Sequence, residues 1–301
     1  MASPEKQTSR PVAERSGGVQ NVLETERRAW EDAVKDAILP PGTVVTPAEL
    51  AGVPYEWVEQ AGTRDCGVIL FLHGGGYNAG SCLTHRELAA RLALSSGLSV
   101  LTVDYRLAPE FPFPAALEDA VAVYEGVLEL GHGAEQVVLG GDSAGGGLVA
   151  SALVRLRDDG KPLPAAAFML SPMLDLTFSG PSVRSLAHLD LVVTLGALQA
   201  AADYYLAGRS PDHPLASPLF ANLTGLPPLL LQVGNREILL DDSVRFVEKA
   251  RAAGVDVRLE VWEDRGHVWQ ASSGLPEAER ALAHIAEFIG ERTRAGASKI
   301  I

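Results

Sequence analysis

The tightest constraint on this 301-residue chain is residues 136–150, Gln136-Val-Val-Leu-Gly-Gly-Asp-Ser-Ala-Gly-Gly-Gly-Leu-Val-Ala150. Val137, Val138 and Leu139 form a short apolar run of the kind that makes a buried parallel strand. A helical pattern is under way by Leu148. Between them the chain must reverse within Gly141-Asp142-Ser143-Ala144-Gly145. A non-glycine residue in so sharp a bend is strained, and its neighbours across the bend must lack Cβ atoms. This G-x-S-x-G strand–turn–helix pattern places Ser143 at the top of a sheet, above a helix N-terminus. Free N–H groups and the helix dipole there favour developing negative charge. The plainer alternative is a glycine-rich turn with an incidental serine.

The rest of the chain alternates strands and helices around this turn. Val68–Leu72 is a continuous apolar run and predicts a central buried strand. Residues 84–96, 99–103, 115–129, 136–140 and 166–170 then read as helix, strand, helix, strand and strand, with the helix after Ser143 inside the series. A short strand is expected at 55–59. Residues 229–233 resume a buried strand, 241–253 a helix, and 276–292 a last helix. Residues 255–262 alternate strictly, with Val255, Val257, Leu259 and Val261 on one side, as in a half-buried strand near a sheet edge. The pattern predicts an α/β fold with a mostly parallel central sheet covered by helices on both faces. Residues 174–226 break the rhythm with Pro211, Pro214, Pro218 and a helix at 194–206 carrying Tyr204 and Tyr205. They read as an insertion at the C-terminal end of the sheet, where open α/β folds bind ligands. Residues 1–20 read as a disordered lead-in. Asn21 is placed to cap a helix carrying Val22, Leu23, Trp30, Val34 and Ile38. Residues 21–301 then form one domain.

Composition narrows the partners. The formal net charge is −13 and the pI about 5.0. Such a chain lacks the basic footprint of a nucleic-acid binder and is repelled by anionic membrane surfaces. Nothing reads as a signal peptide or membrane span. Cys66 and Cys82 are the only cysteines, as expected for free thiols in a reducing, cytoplasmic setting.

A serine hydroxyl is a weak nucleophile and needs a base within hydrogen-bond reach. Of seven histidines, His267 is best placed, in a loop after the alternating strand and before the final helix. His284 falls inside a helix; His132 and His213 fall in polar loops. The base needs a carboxylate to orient it. Glu237 lies nearest the end of the 229–233 strand. Asp241 and Asp264 are the other candidates, although Asp241 and Asp242 also sit where they would charge a helix N-terminus. An oxyanion hole needs fixed donors. The Ala144 N–H directly follows the nucleophile. His73-Gly74-Gly75-Gly76, at the end of a buried strand, can turn consecutive N–H groups inward. No Lys or Thr completes a phosphate loop there.

These residues resemble the hormone-sensitive-lipase-like bacterial carboxylesterases of the α/β-hydrolase family. The matching pieces are His73-Gly-Gly-Gly-Tyr77, Asp104-Tyr105-Arg106-Leu-Ala-Pro-Glu110, Phe113-Pro-Ala-Ala-Leu-Glu-Asp119, Gly141-Asp-Ser-Ala-Gly-Gly146 and Ser171-Pro172. The tail with His267-Val268-Trp269-Gln270 is similar to the monoterpene ε-lactone hydrolase subgroup. The resemblance implies the α/β-hydrolase fold and a triad of Ser143, Glu237 and His267, in the family's order of nucleophile, acid and histidine. It implies an oxyanion hole from the main chain of Gly75, Gly76 and Ala144, with Gly74 shaping the loop, and a cap from about 21–45 and 174–226. Two positions depart from the family's habit. The acid is Glu where Asp is common, and Asp264-Arg265-Gly266 replaces apolar residues before the histidine.

The resulting expectation is a serine ester hydrolase for short to medium acyl esters, with lactones as further candidates. It needs no cofactor and no metal. Rivals are an acyltransferase or amide hydrolase using the same triad, and a non-catalytic binding protein on the same fold. The expected partner is a small-molecule ester. The edge strand at 255–262 is a template for a second copy, so a homodimer is expected there, with Arg258 and Glu260 facing across the seam.

Overall fold

In the computed structural model, which describes residues 12–60 and 67–297, the apolar runs become a single eight-stranded sheet. Helix α1 (Val12–Val34) is followed by strands β1 (Val44–Leu50) and β2 (Val53–Glu59). Then come β3 (Val68–Leu72), α2 (Cys82–Ser96), β4 (Ser99–Val103), α3 (Ala115–Glu129), β5 (Val137–Asp142), α4 (Ser143–Asp158) and β6 (Ala166–Leu170). A long excursion carries α5 (Ser182–Ser185) and α6 (Leu195–Leu206). The chain closes with β7 (Leu229–Gly234), α7 (Leu240–Ala252), β8 (Val257–Trp262) and α8 (Pro276–Ala297).

The strand order is β1-β2-β4-β3-β5-β6-β7-β8. The β1–β2 and β2–β4 pairs are antiparallel and the rest are parallel. Strand side chains alternate between faces, and β3 divides its five buried residues accordingly. Val68, Leu70 and Leu72 join Leu117 and Tyr124 of α3, Leu148 and Leu153 of α4, and Phe246 of α7. Ile69 and Phe71 join Leu88 and Leu92 of α2, and Leu282 and Phe288 of α8. Both faces are therefore covered, as a continuous apolar strand requires.

Several local expectations need correction. The first helix begins at Val12, so Asn21 lies within it and caps nothing. Residues 12–20 of the expected disordered lead-in are helical, and residues 1–11 lie outside the described residues. The helix stops at Val34, leaving Ile38 outside it and 92% exposed. The sequence pattern does not predict strand β1. Its residues are mostly exposed and include Pro47, so they show no alternation; pairing with β2 makes the strand. β8 is outermost, as the alternation predicts, but starts at Val257 and leaves Val261 44% exposed. Arg258 and Glu260 do not wait for a second copy. Arg258 pairs with Glu291 of α8, and Glu260 is held by Gln232, Trp262 and His284. Cys82 is buried and unpaired, and Cys66 lies outside the described residues. Among the described residues no helix is long and apolar enough to cross a membrane.

Candidate active site

Strand β5 ends in Asp142, and Ser143 begins α4 at φ +51°. That left-handed conformation is strained for a serine. Close packing holds it. A Cβ on Gly145 would stand 2.0 Å from Leu72 O, and one on Gly141 2.6 Å from Gly145 O. The bend thus excludes side chains on both sides of Ser143. The Met173 N–H donates to Ser143 O at 2.9 Å, tying the end of β6 to the bend.

His267 Nε2 lies 2.9 Å from Ser143 Oγ, across 124 residues of sequence. His267 Nδ1 lies 2.8 Å from Glu237 Oε2. A carboxylate can only accept, so it sets Nδ1 as the protonated nitrogen and leaves Nε2 to accept from the serine. The other oxygen of Glu237 accepts from Ser171 Oγ at 2.7 Å and Gly234 N at 2.7 Å. Ser171 Oγ also accepts from Val268 N at 3.1 Å, beside the histidine. Parallel pairing of β5, β6, β7 and β8 sets the ends of four strands side by side. Ser143, Ser171, Glu237 and His267 all lie just beyond those ends.

Burial disfavours the His267 imidazolium. The hydrogen bond and charge of Glu237, with Asp190 and Asp142 adding, outweigh burial and raise its pKa above the ordinary value of 6.5. Asp190 also accepts from Ile238 N at 2.9 Å, next to Glu237, and from Val192 N and Val193 N. It therefore ties the excursion between β6 and β7 to the loop that carries Glu237.

The glycine loop after β3 faces the same point. Gly74 N donates to Asp142 Oδ1 at 2.9 Å. His85 Nε2 stands 3.3 Å from that oxygen. Gly75 and Gly76 have φ of +114° and +64°, and Gly75 O accepts from Asn78 N and Ala79 N. Among the described residues neither the Gly75 nor the Gly76 N–H has a protein acceptor. The Ala144 N–H is one of the donors left open at the start of α4. His73 does not face the site chemically. It is fully buried, stacked on Tyr105 at 4.2 Å, and burial pushes its pKa down to about 3, so it stays neutral.

A cavity of about 1470 Å3 opens above Ser143 and His267. Trp30 and Val34 of α1 line it on one side, and Val193, Leu198 and Tyr204 on another. The two adjacent tyrosines part company. Tyr204 lines the cavity, whereas Tyr205 turns inward and stacks on Tyr77 at 3.8 Å.

Residues 69–271 match a protein family described as an alpha/beta hydrolase fold. The chain belongs to the α/β-hydrolase family. Its relatives place it in the hormone-sensitive-lipase-like branch. A crystal structure of an esterase from the bacterial hormone-sensitive lipase family superposes with a TM-score of 0.88 at 45% identity, covering 95% of this chain and 94% of that one. An acetyl-hydrolase of Streptomyces hygroscopicus is 42% identical over 301 residues, 98% of this chain and 99% of that protein. An esterase of Acinetobacter venetianus is 40% identical over 251 residues, 82% of each.

In this α/β-hydrolase the structure brings Ser143, His267 and Glu237 into one hydrogen-bonded line. It does not bring Asp241 or Asp264 to the histidine. Asp241 accepts from Ser182 N. Asp264 is 76% exposed and reaches Arg236 at 3.4 Å. In the Asp264-Arg265-Gly266 departure only Asp264 is exposed; Arg265 and Gly266 are part-buried, and Arg265 O accepts from Arg236 N. Gly74 is not a free donor, because Asp142 takes its N–H. Ser171, Asp142, His85 and Asp190 escaped sequence reasoning as site residues. Ser171 and Asp142 stand within quoted motifs, but their partners lie 66 and 68 residues away.

Proposed function

We propose that this protein is a serine carboxylesterase for short to medium acyl esters, with Ser143, His267 and Glu237 as its triad. The observation that carries this reading is the unbroken line from Ser143 Oγ through His267 to Glu237 at the floor of the cavity. Ser143 Oγ attacks the ester carbonyl and forms a C–O bond as its proton passes to His267 Nε2. The carbonyl oxygen becomes an oxyanion facing the N–H groups of Gly75, Gly76 and Ala144. The C–O bond to the alcohol breaks, and His267 returns the proton to the departing alkoxide. Water then attacks the acyl-enzyme while His267 takes its proton. Collapse of this second intermediate releases the acid and restores Ser143.

The name of the Streptomyces relative supports acetyl among the accepted groups. The cavity exceeds the roughly 300–1,000 Å3 of most ligand pockets. A short acyl group therefore leaves room for a bulky alcohol half. We take about 21–45 and 174–226 as the cap that shapes this room, a homodimer through β8 as the assembly, and the cytoplasm as a setting that suits the unpaired Cys82. The test is turnover of acetate, butyrate and palmitate esters and of lactones by the parent and by Ser143→Ala. Loss of several powers of ten in the folded variant is expected; activity within tenfold of the parent rejects the nucleophile.

A further inference from the structure

One guanidinium joins the cavity wall to the glycine loop. Arg27 lies on α1, the helix whose Val22, Leu23, Trp30 and Val34 face the cavity. Its Nε donates to Asn78 O at 2.7 Å. One terminal nitrogen donates to Glu110 Oε1 at 2.8 Å. The other donates to Ala108 O at 2.8 Å and Glu110 Oε2 at 2.9 Å. The side chain is only 19% exposed. This fork geometry is what Arg offers and Lys does not.

The acceptors matter because of where they sit. Asn78 belongs to the turn that shapes the loop, since Asn78 N donates to Gly75 O. Ala108 N donates to Tyr77 O at 2.9 Å, so Ala108 is already stitched to the residue after Gly76. Arg27 closes a ring through Asn78, Tyr77 and Ala108 and back to itself. Gly74 is fixed at the other end of the loop by Asp142. The segment that presents the Gly75 and Gly76 N–H groups is thus held at one end by Asp142, the last residue of β5 before Ser143, and at the other from α1.

We propose that Arg27 is a positioning residue that couples the seating of α1 to the geometry of the glycine loop. When α1 is docked, the guanidinium holds Asn78 and Ala108, and the Gly75 and Gly76 N–H groups keep their aim. When α1 shifts, two carbonyls lose their donor and the loop relaxes. Filling of the cavity along α1 therefore favours the aligned loop. The proposal rests on the esterase reading above, because the loop matters through the oxyanion it faces. Misplacement by about 1 Å can lower a rate roughly a hundredfold.

The experiment separates this role from simple support of the wall. p-Nitrophenyl acetate is too short to depend on contacts along α1. With it, Arg27→Ala should lower kcat at least tenfold while KM stays within threefold. Affinity for a small methyl trifluoromethyl ketone, whose adduct with the serine bears an oxyanion, should fall in parallel. Arg27→Lys keeps a charge for Glu110 but cannot span all three partners, and should fall between parent and Arg27→Ala. Amide hydrogen exchange over residues 74–80 should quicken in both variants, and this readout needs no activity. An inactive parent would defeat the esterase reading, while exchange would still test the tether. Unchanged exchange, or acetate kcat within twofold with only long esters affected, overturns the proposal. If Arg27→Ala does not fold, Arg27→Lys is judged by the same two criteria.

Discussion

Ser171 Oγ donates to Glu237 Oε1 at 2.7 Å while accepting from Val268 N at 3.1 Å. One hydroxyl thereby fixes Glu237 and the chain beside His267. Ser171 holds a left-handed φ of +45° to do this. β6 delivers it between β5, which leads into Ser143, and β7, which leads into the loop carrying Glu237. One oxygen of Glu237 is thus engaged, and the other is left to accept from His267.

Ser171→Ala should therefore lower kcat about tenfold with little change in KM. The carboxylate keeps Gly234 N and His267 but loses one anchor, and a hydrogen bond to a charged group is worth ~1.5–3 kcal/mol. Steady-state kinetics on butyrate esters measure it. An unchanged kcat would show that Gly234 alone suffices.

Glu237→Gln should reduce kcat by roughly 10³–10⁴-fold, as for other triads whose acid is made neutral. Asp264→Asn, at an exposed position, should leave it within twofold. The pH profile follows from His267, whose pKa is raised chiefly by Glu237 against the opposing effect of burial. The base works when neutral. The acidic limb of kcat/KM should therefore lie above pH 6.5 in the parent, with activity rising as pH rises through it. In Glu237→Gln the residual activity should have its limb at lower pH. A limb that stays in place would remove Glu237 as the cause.

Asp242 is fully buried, and burial is the main cause lifting its pKa to about 8. Its Oδ2 accepts from Leu174 N at 2.8 Å and Asp175 N at 3.0 Å, while Oδ1 has no partner among the described residues. A raised carboxyl binds a proton on folding. Its stabilising contribution is full below the unfolded pKa near 4 and is lost as pH rises through about 8. Asp242→Asn keeps an acceptor for both N–H groups and removes the titration. From pH 5 to 8 the parent should lose roughly a few kcal/mol relative to the variant. Urea denaturation of both proteins at the two pH values checks this; parallel pH dependences would argue against it.

A homodimer through β8 should scatter light as about twice 31.8 kDa at micromolar concentration. β8 ends the sheet, and Val261 is exposed along it. An open, partly apolar edge is a template for another strand. Val261→Lys should shift the population toward monomer without loss of fold. A monomeric parent ends the idea, and a variant that stays dimeric moves the interface elsewhere.

The sequence by itself determined the local structure and the chemical vocabulary. Apolar runs at 68–72 and 137–139 are buried strands because no register of them leaves a polar face, and 229–233 is buried with one polar residue, Gln232, whose amide is bonded to Glu260 and Ala281 O. The glycines around Ser143 forecast the sharp bend because only residues without Cβ clear Leu72 O and each other. Those are short-range effects, legible within a few residues. Loop position alone favours Glu237 over Asp241 and Asp264, and the reach of Glu237 to His267 is a matter of strand order. β7 lies next to β8, so Gly234 and Trp262 end side by side, and only the Glu237 side chain turns back toward His267. Strand β1 was illegible because pairing with β2, not its own pattern, makes it a strand. Ser171, Asp142 and Arg27 were illegible as anchors for a related reason. Each is an ordinary polar residue until strand order and helix docking bring a partner 51 to 83 residues away within hydrogen-bond range. Hydrogen bonds act over about 3 Å, so tertiary packing alone decides which of these groups meet.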